Sequence, residues 1–146
     1  MVSRTIQIRN SIYRLVRRIP RGRVLSYGEV GRIVGTGPRQ VAAAEAFVDR
    51  GAWISHVALA EAIWVLTAVY GLDAPAIATT IQMFLNHTSL SLEEPEVVSN
   101  ALQHFRRRPT LGFSDCLLLE IARKAGHLPL GTFDRALGRV PGAERL

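Results

Sequence analysis

Apolar residues recur at three- and four-residue spacing along much of the chain, a periodicity that predicts amphipathic helices. Short apolar runs between turn residues predict strands among these helices. The predicted helices cover residues 6–19, 27–34, 38–50, 57–70, 74–86, 95–108, 116–125 and 135–139. The predicted strands cover residues 24–26, 53–56, 89–92 and 128–131. This alternation predicts an α/β fold, a parallel sheet with helices on both faces.

The segment from Gly112 to Asp134 is the most informative. Asp115 opens its apolar helix pattern, Gly126 is the natural stop, and Asp134 follows the next short apolar run. Ligand sites of open α/β sheets form beyond the carboxyl ends of the strands, which places two acids near such an edge. Each acid also has a purely structural interpretation, because aspartate favours helix N-termini and helix caps.

Glu61 is the third acid that stands apart from ordinary surface charge. It is the single charged residue between His56 and Leu72, and its neighbours three and four residues away are apolar. This pattern predicts a glutamate on or near a buried helix face, where a carboxylate needs a partner or a metal ion. A glutamate at the helix edge is the structural alternative. Glu120, in contrast, is interpreted as a surface residue paired with Lys124 four residues later.

Composition fits one ordinary globular domain of 146 residues, with 48% apolar and 21% charged residues. The chain has one cysteine, and its beginning shows no signal-like apolar run, so a cytoplasmic protein is expected. Residues 1–40 carry a net charge of +8, and residues 41–146 carry −2. An arginine-rich lead segment is typical of phosphate contact, and a solvated basic face is the alternative.

The first forty residues resemble the DNA-binding part of alkylguanine DNA alkyltransferases and alkyltransferase-like proteins. The residues that carry the likeness are Ile19-Pro-Arg-Gly22, Ser26-Tyr-Gly-Glu-Val30 and Gly37-Pro-Arg-Gln-Val41. The resemblance implies that Tyr27 presses on a flipped nucleotide and that the helix after Pro38, with Arg39, meets DNA. The alkyl-accepting Pro-Cys-His-Arg motif is absent, which excludes alkyl transfer.

The remainder of the chain resembles PIN-domain ribonucleases, specifically the VapC toxins of toxin–antitoxin pairs. The residues that carry this likeness are Gln40–Glu45, Trp53–Glu61, Gly112–Asp115 and Ala125–Asp134. It implies a three-layer α/β/α fold, a Mg²⁺ or Mn²⁺ site, cleavage of RNA, often tRNA, a cognate antitoxin and a homodimer. Glu61, Asp115 and Asp134 match three of the family's four acidic positions. Thr132 and Ser114 are expected to support these carboxylates.

One position departs from the PIN pattern. The family's first strand ends in an aspartate, but the matching strand here, residues 24–26, carries Leu25 and Ser26 instead. The sequence therefore resembles a chimera, natural or engineered, with an alkyltransferase-like segment over 1–37 joined without a linker to a PIN-like domain over 38–146. We expect a metal-dependent endoribonuclease impaired by the missing ligand. The alternatives are a non-enzymatic DNA-binding module and a fold-compatibility chimera without function.

Overall fold

The computed structural model describes residues 38–146. Its contacts divide the chain after Ala52, so the helix that precedes this point is described separately from the unit that begins at Trp53. Helix α1 spans Pro38–Asp49, with proline in its first turn and Gly51, at a φ of 91°, just after its end. Both residues agree with the predicted helix over 38–50, because proline suits a helix start and glycine suits its end.

From Ala52 onwards the chain contains four helices and four short strands. Its elements are β1 (Ala52–Ile54), α2 (His56–Ala68), α3 (Ala74–Asn86), β2 (Leu90–Leu92), α4 (Pro95–Arg107), α5 (Phe113–Lys124), β3 (Leu130–Thr132), a 3-10 turn (Leu137–Arg139) and β4 (Ala143–Arg145). Residues 38–146 thus hold five α-helices and short strands, and the predicted mixed α/β class is confirmed.

Local sequence signals determine where these helices begin and end. The side chain of Ser55 accepts the N–H of Ala58 at the start of α2, and Asp73 accepts the N–H of Ala76 at the start of α3. Gly126, at a φ of 77°, ends α5, and the N–H of the next residue, His127, donates to the carbonyl of Ala122 at 2.9 Å. This is a Schellman ending, and it turns the chain towards β3.

The helices of the second unit enclose one apolar core. Helix α4 packs on both α3 and α5, and α5 also packs on α2. The buried positions of α4 fall at helical spacing on one stripe, and they are Val97, Val98, Ala101, Leu102 and Phe105. The ring of Phe105 meets that of Phe113 edge to face at 6.1 Å between centroids. This packing fixes the start of α5, where Asp115 lies.

The strands pair in two small groups within residues 38–146, β1 with β2 and β3 with β4. Strands β3 and β4 are parallel, and Thr132 is opposite Arg145 in their register. No strand was predicted after residue 139, so β4, which is only three residues long, was missed. In this part of the chain the parallel pairing is local, whereas a single continuous sheet was expected.

The predicted last helix differs from the observed element. A helix was expected over 135–139, and the structure has a 3-10 turn that begins at Leu137. The predicted helices over 6–19 and 27–34 and the strand over 24–26 lie outside the described residues. Among residues 38–146, no helix has the length and apolar character needed to cross a membrane.

Candidate active site

Asp115 lies in the first turn of α5, three residues after the helix-capping Gly112. Its carboxylate folds back over the cap, since a Cβ placed on Gly112 would be only 3.2 Å from Oδ2 of Asp115. The backbone of Gly112 also lowers the pKa of this carboxyl, as expected when a third-position acid accepts the capping N–H. The absence of a side chain at residue 112 therefore leaves room for Asp115.

Asp134 follows β3 and is held by its own backbone surroundings. Its N–H donates to Oγ1 of Thr132 at 3.0 Å. Its Oδ1 accepts the N–H groups of Ala136 at 2.7 Å and Leu137 at 2.8 Å, which caps the 3-10 turn. The structural interpretation of Asp134 as a cap is thus observed. It leaves Oδ2 without a hydrogen bond from residues 38–146 and able to face a ligand.

Asp115 and Asp134 lie close enough to interact electrostatically. Burial is the largest cause that raises the pKa of Asp115, and the negative charge of Asp134 raises it further. The neighbouring negative charge disfavours the ionised form of Asp115, whereas a bound cation would favour it. The structure therefore brings together two of the three acids that the sequence singled out.

The pKa of Asp115 leads to a prediction about pH. Because the pKa is raised in the folded protein, the protonated carboxyl stabilises the fold below its ordinary value of 3.8, and this contribution is lost as the pH rises through the raised pKa. We expect the Asp115→Asn variant to gain unfolding free energy relative to the parent protein as the pH increases from 4 to 7. Urea unfolding at several pH values measures this difference, and Glu144→Gln, which removes an exposed carboxylate, is the control variant. A difference in unfolding free energy between Asp115→Asn and the parent protein that does not change with pH would contradict the prediction.

Glu61 lies on α2 and is exposed, whereas Leu59 and Ile63 of the same helix are buried. The expectation that Glu61 points from a buried face is wrong. The reason is that α2 is apolar around most of its circumference, so apolar neighbours do not identify its inner side. Val57 and Trp64 are exposed on the same side of the helix as Glu61, because they are four and three residues away from it.

Glu120 is the residue whose position the sequence analysis misjudged most. Only 4% of its side chain is exposed, and its Oε1 lies 3.0 Å from both Nε2 of His104 and Nε of Arg123. Lys124 does not pair with it and instead contacts Glu94 and Glu96 at the start of α4. The sequence contained a signal, since Glu120 is three and four residues after the buried Leu117 and Cys116. The surface interpretation of Glu120 is therefore wrong.

The other residues named from sequence have varied surroundings. Thr132 supports Asp134 through the backbone N–H, whereas a bond to the carboxylate was expected. Ser114 is half-buried beside Asp115. Arg39 is exposed in the first turn of α1, and Tyr27 and Leu25 lie outside the described residues. Burial, together with the charge of Asp115, raises the pKa of the Cys116 thiol to about 11. Such a thiol is a poor nucleophile, which agrees with the exclusion of alkyl transfer.

Asp115 and Asp134 suit a hard divalent cation. Mg²⁺ is commonly held by one or two carboxylates and keeps several waters, so two acids are a sufficient protein contribution. Repulsion between them, visible in the pKa of Asp115, is the condition that such an ion would relieve. Within residues 38–146, no group of three or more histidine, cysteine, aspartate or glutamate side chains is arranged to hold a metal. The pair is therefore the candidate centre.

The PIN-domain family model matches residues 32–143, more than half of the chain. The chain belongs to the PIN-domain family, whose members are generally divalent-metal-dependent nucleases, and a nucleic acid is the substrate that this membership implies. No curated protein and no solved structure shows significant similarity to the chain. The match begins at residue 32, within the stretch that resembles alkyltransferase-like proteins.

Proposed function

We propose that the protein is a VapC-like, Mg²⁺- or Mn²⁺-dependent endoribonuclease with weakened activity. The single observation that carries the proposal is the carboxylate pair, in which burial and the charge of Asp134 raise the pKa of Asp115. A carboxyl group whose ionised form is disfavoured and which has a second acid as its neighbour is a candidate for a functional site. Since the chain belongs to the PIN-domain family, the function proposed for this pair is nuclease activity.

Four residues of the chain would form the metal site. Asp115 and Asp134 would hold the cation. Gly112, which has no side chain, leaves room for the carboxylate of Asp115, and Oγ1 of Thr132 accepts the N–H of Asp134 and so orders its backbone. A bound divalent ion supplies an acidified water and charge stabilisation at the phosphoryl oxygens. Glu61 is exposed on α2, and since no group of three acids is arranged to hold a metal within residues 38–146, it is left out of this two-carboxylate centre.

Activity is expected to be weak because the first acidic ligand of the family is missing. Residues 1–44 contain no aspartate, and Leu25 stands where the pattern places one. A two-carboxylate site binds Mg²⁺ through more water ligands, which makes binding weaker and less ordered. The join that places residues 1–37 before the PIN-like part from residue 38 is therefore proposed to preserve the fold at the cost of one ligand.

An antitoxin and a second copy of the chain are the protein partners that the VapC likeness proposes. Helix α2 offers a surface for one of them, since Val57 and Trp64 are exposed beside Glu61, and Trp53 is exposed in the preceding strand. Exposed apolar patches commonly mark protein interaction sites. A partner that covered this face would also cover Glu61.

The proposal is tested by incubating the purified protein with total tRNA and with a single-stranded RNA. We expect slow endonucleolytic cleavage with Mn²⁺ or Mg²⁺ and none with a chelator, and Mn²⁺ should raise the melting temperature of the parent protein more than that of Asp115→Asn. Separating the products on a denaturing gel distinguishes internal cleavage from end trimming. Cleavage that persists in the chelator would contradict the proposed metal site. An equal rise of the melting temperature with Mn²⁺ in the parent protein and in Asp115→Asn would contradict it as well.

A non-enzymatic DNA-binding module is the second candidate. The net charge of +8 in residues 1–40 and the exposed Arg39 in α1 favour it. It predicts binding to a short DNA duplex that weakens steeply with salt and falls in Tyr27→Ala and Arg39→Ala. Arg50→Ala, which removes an exposed arginine at the other end of α1, is the matched control. Equal losses in Arg39→Ala and Arg50→Ala, with no loss in Tyr27→Ala, would indicate only general charge attraction.

A further inference from the structure

Phe133 presents its ring to solvent and immediately precedes Asp134 of the acid pair. The chain has five phenylalanines, and Phe133 is the most exposed of them at 82%, followed by Phe47 at 58%. Phe105 and Phe113 are buried, and Phe84 packs against the core. A single exposed apolar residue is ordinary on a protein surface. Phe133 differs from an ordinary exposed residue because it immediately precedes Asp134, one of the two acids of the candidate centre.

The backbone on both sides of Phe133 is fixed. Thr132, before it, ends β3, and its Oγ1 accepts the N–H of Asp134, after it, at 3.0 Å. Asp134 is fixed in turn by the N–H groups of Ala136 and Leu137. A ring attached to an ordered backbone loses little conformational freedom when it binds a ligand. Phe133 is thus exposed on an ordered backbone, one residue before an aspartate of the candidate centre.

Cations surround the same turn. Arg135 and Arg139 are exposed, and neither forms a salt bridge with any carboxylate of residues 38–146. Nη1 of Arg108 donates to the carbonyl of Arg139 at 3.3 Å, which brings the basic end of α4 to this turn. Arginines that have no acidic partner among residues 38–146, in the same turn as an exposed aromatic ring, match a ligand that combines phosphates with flat bases.

We propose that the ring of Phe133 stacks on a nucleobase of the RNA and thereby places the adjoining phosphate beside the cation that Asp115 and Asp134 would hold. The proposal rests on the nuclease function proposed above and adds a substrate-contacting residue to it. Every base has a π-face, so the contact tolerates any sequence but requires an aromatic ring on the protein. An apolar protein partner would need only an apolar side chain, and Leu146, exposed near Gly131, would add to such a surface.

The test measures RNA binding without cleavage. Fluorescently labelled octamers of oligoadenylate and oligouridylate are titrated in chelator with the parent protein, Phe133→Leu and Phe133→Trp, and binding is followed by anisotropy. Leucine keeps the apolar character and removes the π-face, whereas tryptophan keeps it. We expect Phe133→Leu to weaken binding by roughly 5- to 150-fold, the range for losing one stacked base, and Phe133→Trp to bind within about twofold of the parent or more tightly.

Two controls separate the ring from other effects. Phe47→Leu removes the other exposed phenylalanine and should leave binding unchanged. Cζ of Arg50 lies 6.0 Å from the centroid of the Phe47 ring, so this ring too has an arginine beside it. Inorganic polyphosphate has phosphates but no bases. Its dissociation constant, obtained by competition with labelled RNA, should be the same for the parent protein and Phe133→Leu. These results together would support stacking at Phe133.

Several outcomes would overturn the inference. They are equal binding by Phe133→Leu and the parent, loss of oligoadenylate binding in Phe133→Trp, an equal loss in Phe47→Leu, or no binding of either octamer by the parent protein. Unchanged RNA binding in Phe133→Leu with loss of self-association or of a protein partner would assign the ring to protein docking. If Phe133→Leu loses RNA binding but the parent shows no Mn²⁺-dependent cleavage, stacking stands and the nuclease proposal fails.

Discussion

Replacing Glu120 by alanine is expected to lower the free energy of unfolding by about 2–3 kcal/mol, within the range for removing one partner of a buried charged network. The side chain is 4% exposed and accepts two hydrogen bonds of 3.0 Å, from His104 and Arg123. Its loss also opens a gap between α4 and α5. His104 and Arg123 are partly exposed, at 29% and 41%, and can turn towards water, which keeps the loss below that of a fully buried pair.

Urea unfolding followed by circular dichroism measures this loss. Glu120→Gln keeps the volume and can still accept a hydrogen bond, so it should cost about half as much or less. Glu144→Ala removes an exposed glutamate from β4 and should stay within about 0.5 kcal/mol of the parent protein. A loss below about 1 kcal/mol for Glu120→Ala would mean that the network contributes little to holding α4 against α5.

The second large effect is expected at the acid pair. Asp115→Asn keeps the shape of the side chain and its ability to accept the cap N–H, but it removes one of the two charges proposed to hold the metal. We expect divalent-dependent RNA cleavage to fall by roughly 100-fold or to become undetectable, since a ligand of this kind supplies several kcal/mol of transition-state stabilisation. Asp134→Asn should have a similar effect, because asparagine still caps the 3-10 turn.

Two further variants make this result specific. Glu144→Gln removes a carboxylate outside the pair and should leave cleavage unchanged. Leu25→Asp restores the acid that the PIN pattern expects and should raise cleavage if residues 24–26 supply the first strand. Activity that survives in both Asp115→Asn and Asp134→Asn, with both variants folded by circular dichroism, would show that the pair is not the catalytic centre.

Helix positions were largely predictable because their signals are local. Asp73 followed by Ala74 and Pro75 predicted the start of α3, and Gly126 predicted the end of α5, and both occur where expected. Strand β4 was not predictable from a three-residue segment, since its pairing with β3 depends on a distant part of the chain. Periodicity detects a helix from its own sequence, but a short strand exists only through its partner.

The candidate site was predictable only in part. Asp115 and Asp134 were singled out because each follows a signal of an element boundary, and in the structure the negative charge of Asp134 raises the pKa of Asp115. Glu61 was assigned to the wrong side of α2, since an almost uniformly apolar helix carries no marker of its inner face. Glu120 was assigned to the surface because a lysine four residues away offered a local partner, while its observed partner His104 belongs to another helix.

The position of Cys116 has a practical consequence for spectroscopy. The only thiol of the chain is buried in α5 and has a pKa of about 11, so maleimide and iodoacetamide reagents will find almost no thiolate there at neutral pH. A cysteine introduced on the surface, for example in place of Ser91 in β2, would then be the sole labelling position in the folded protein. Spin labels and fluorophores can thus be attached one at a time without first removing the native sulfur.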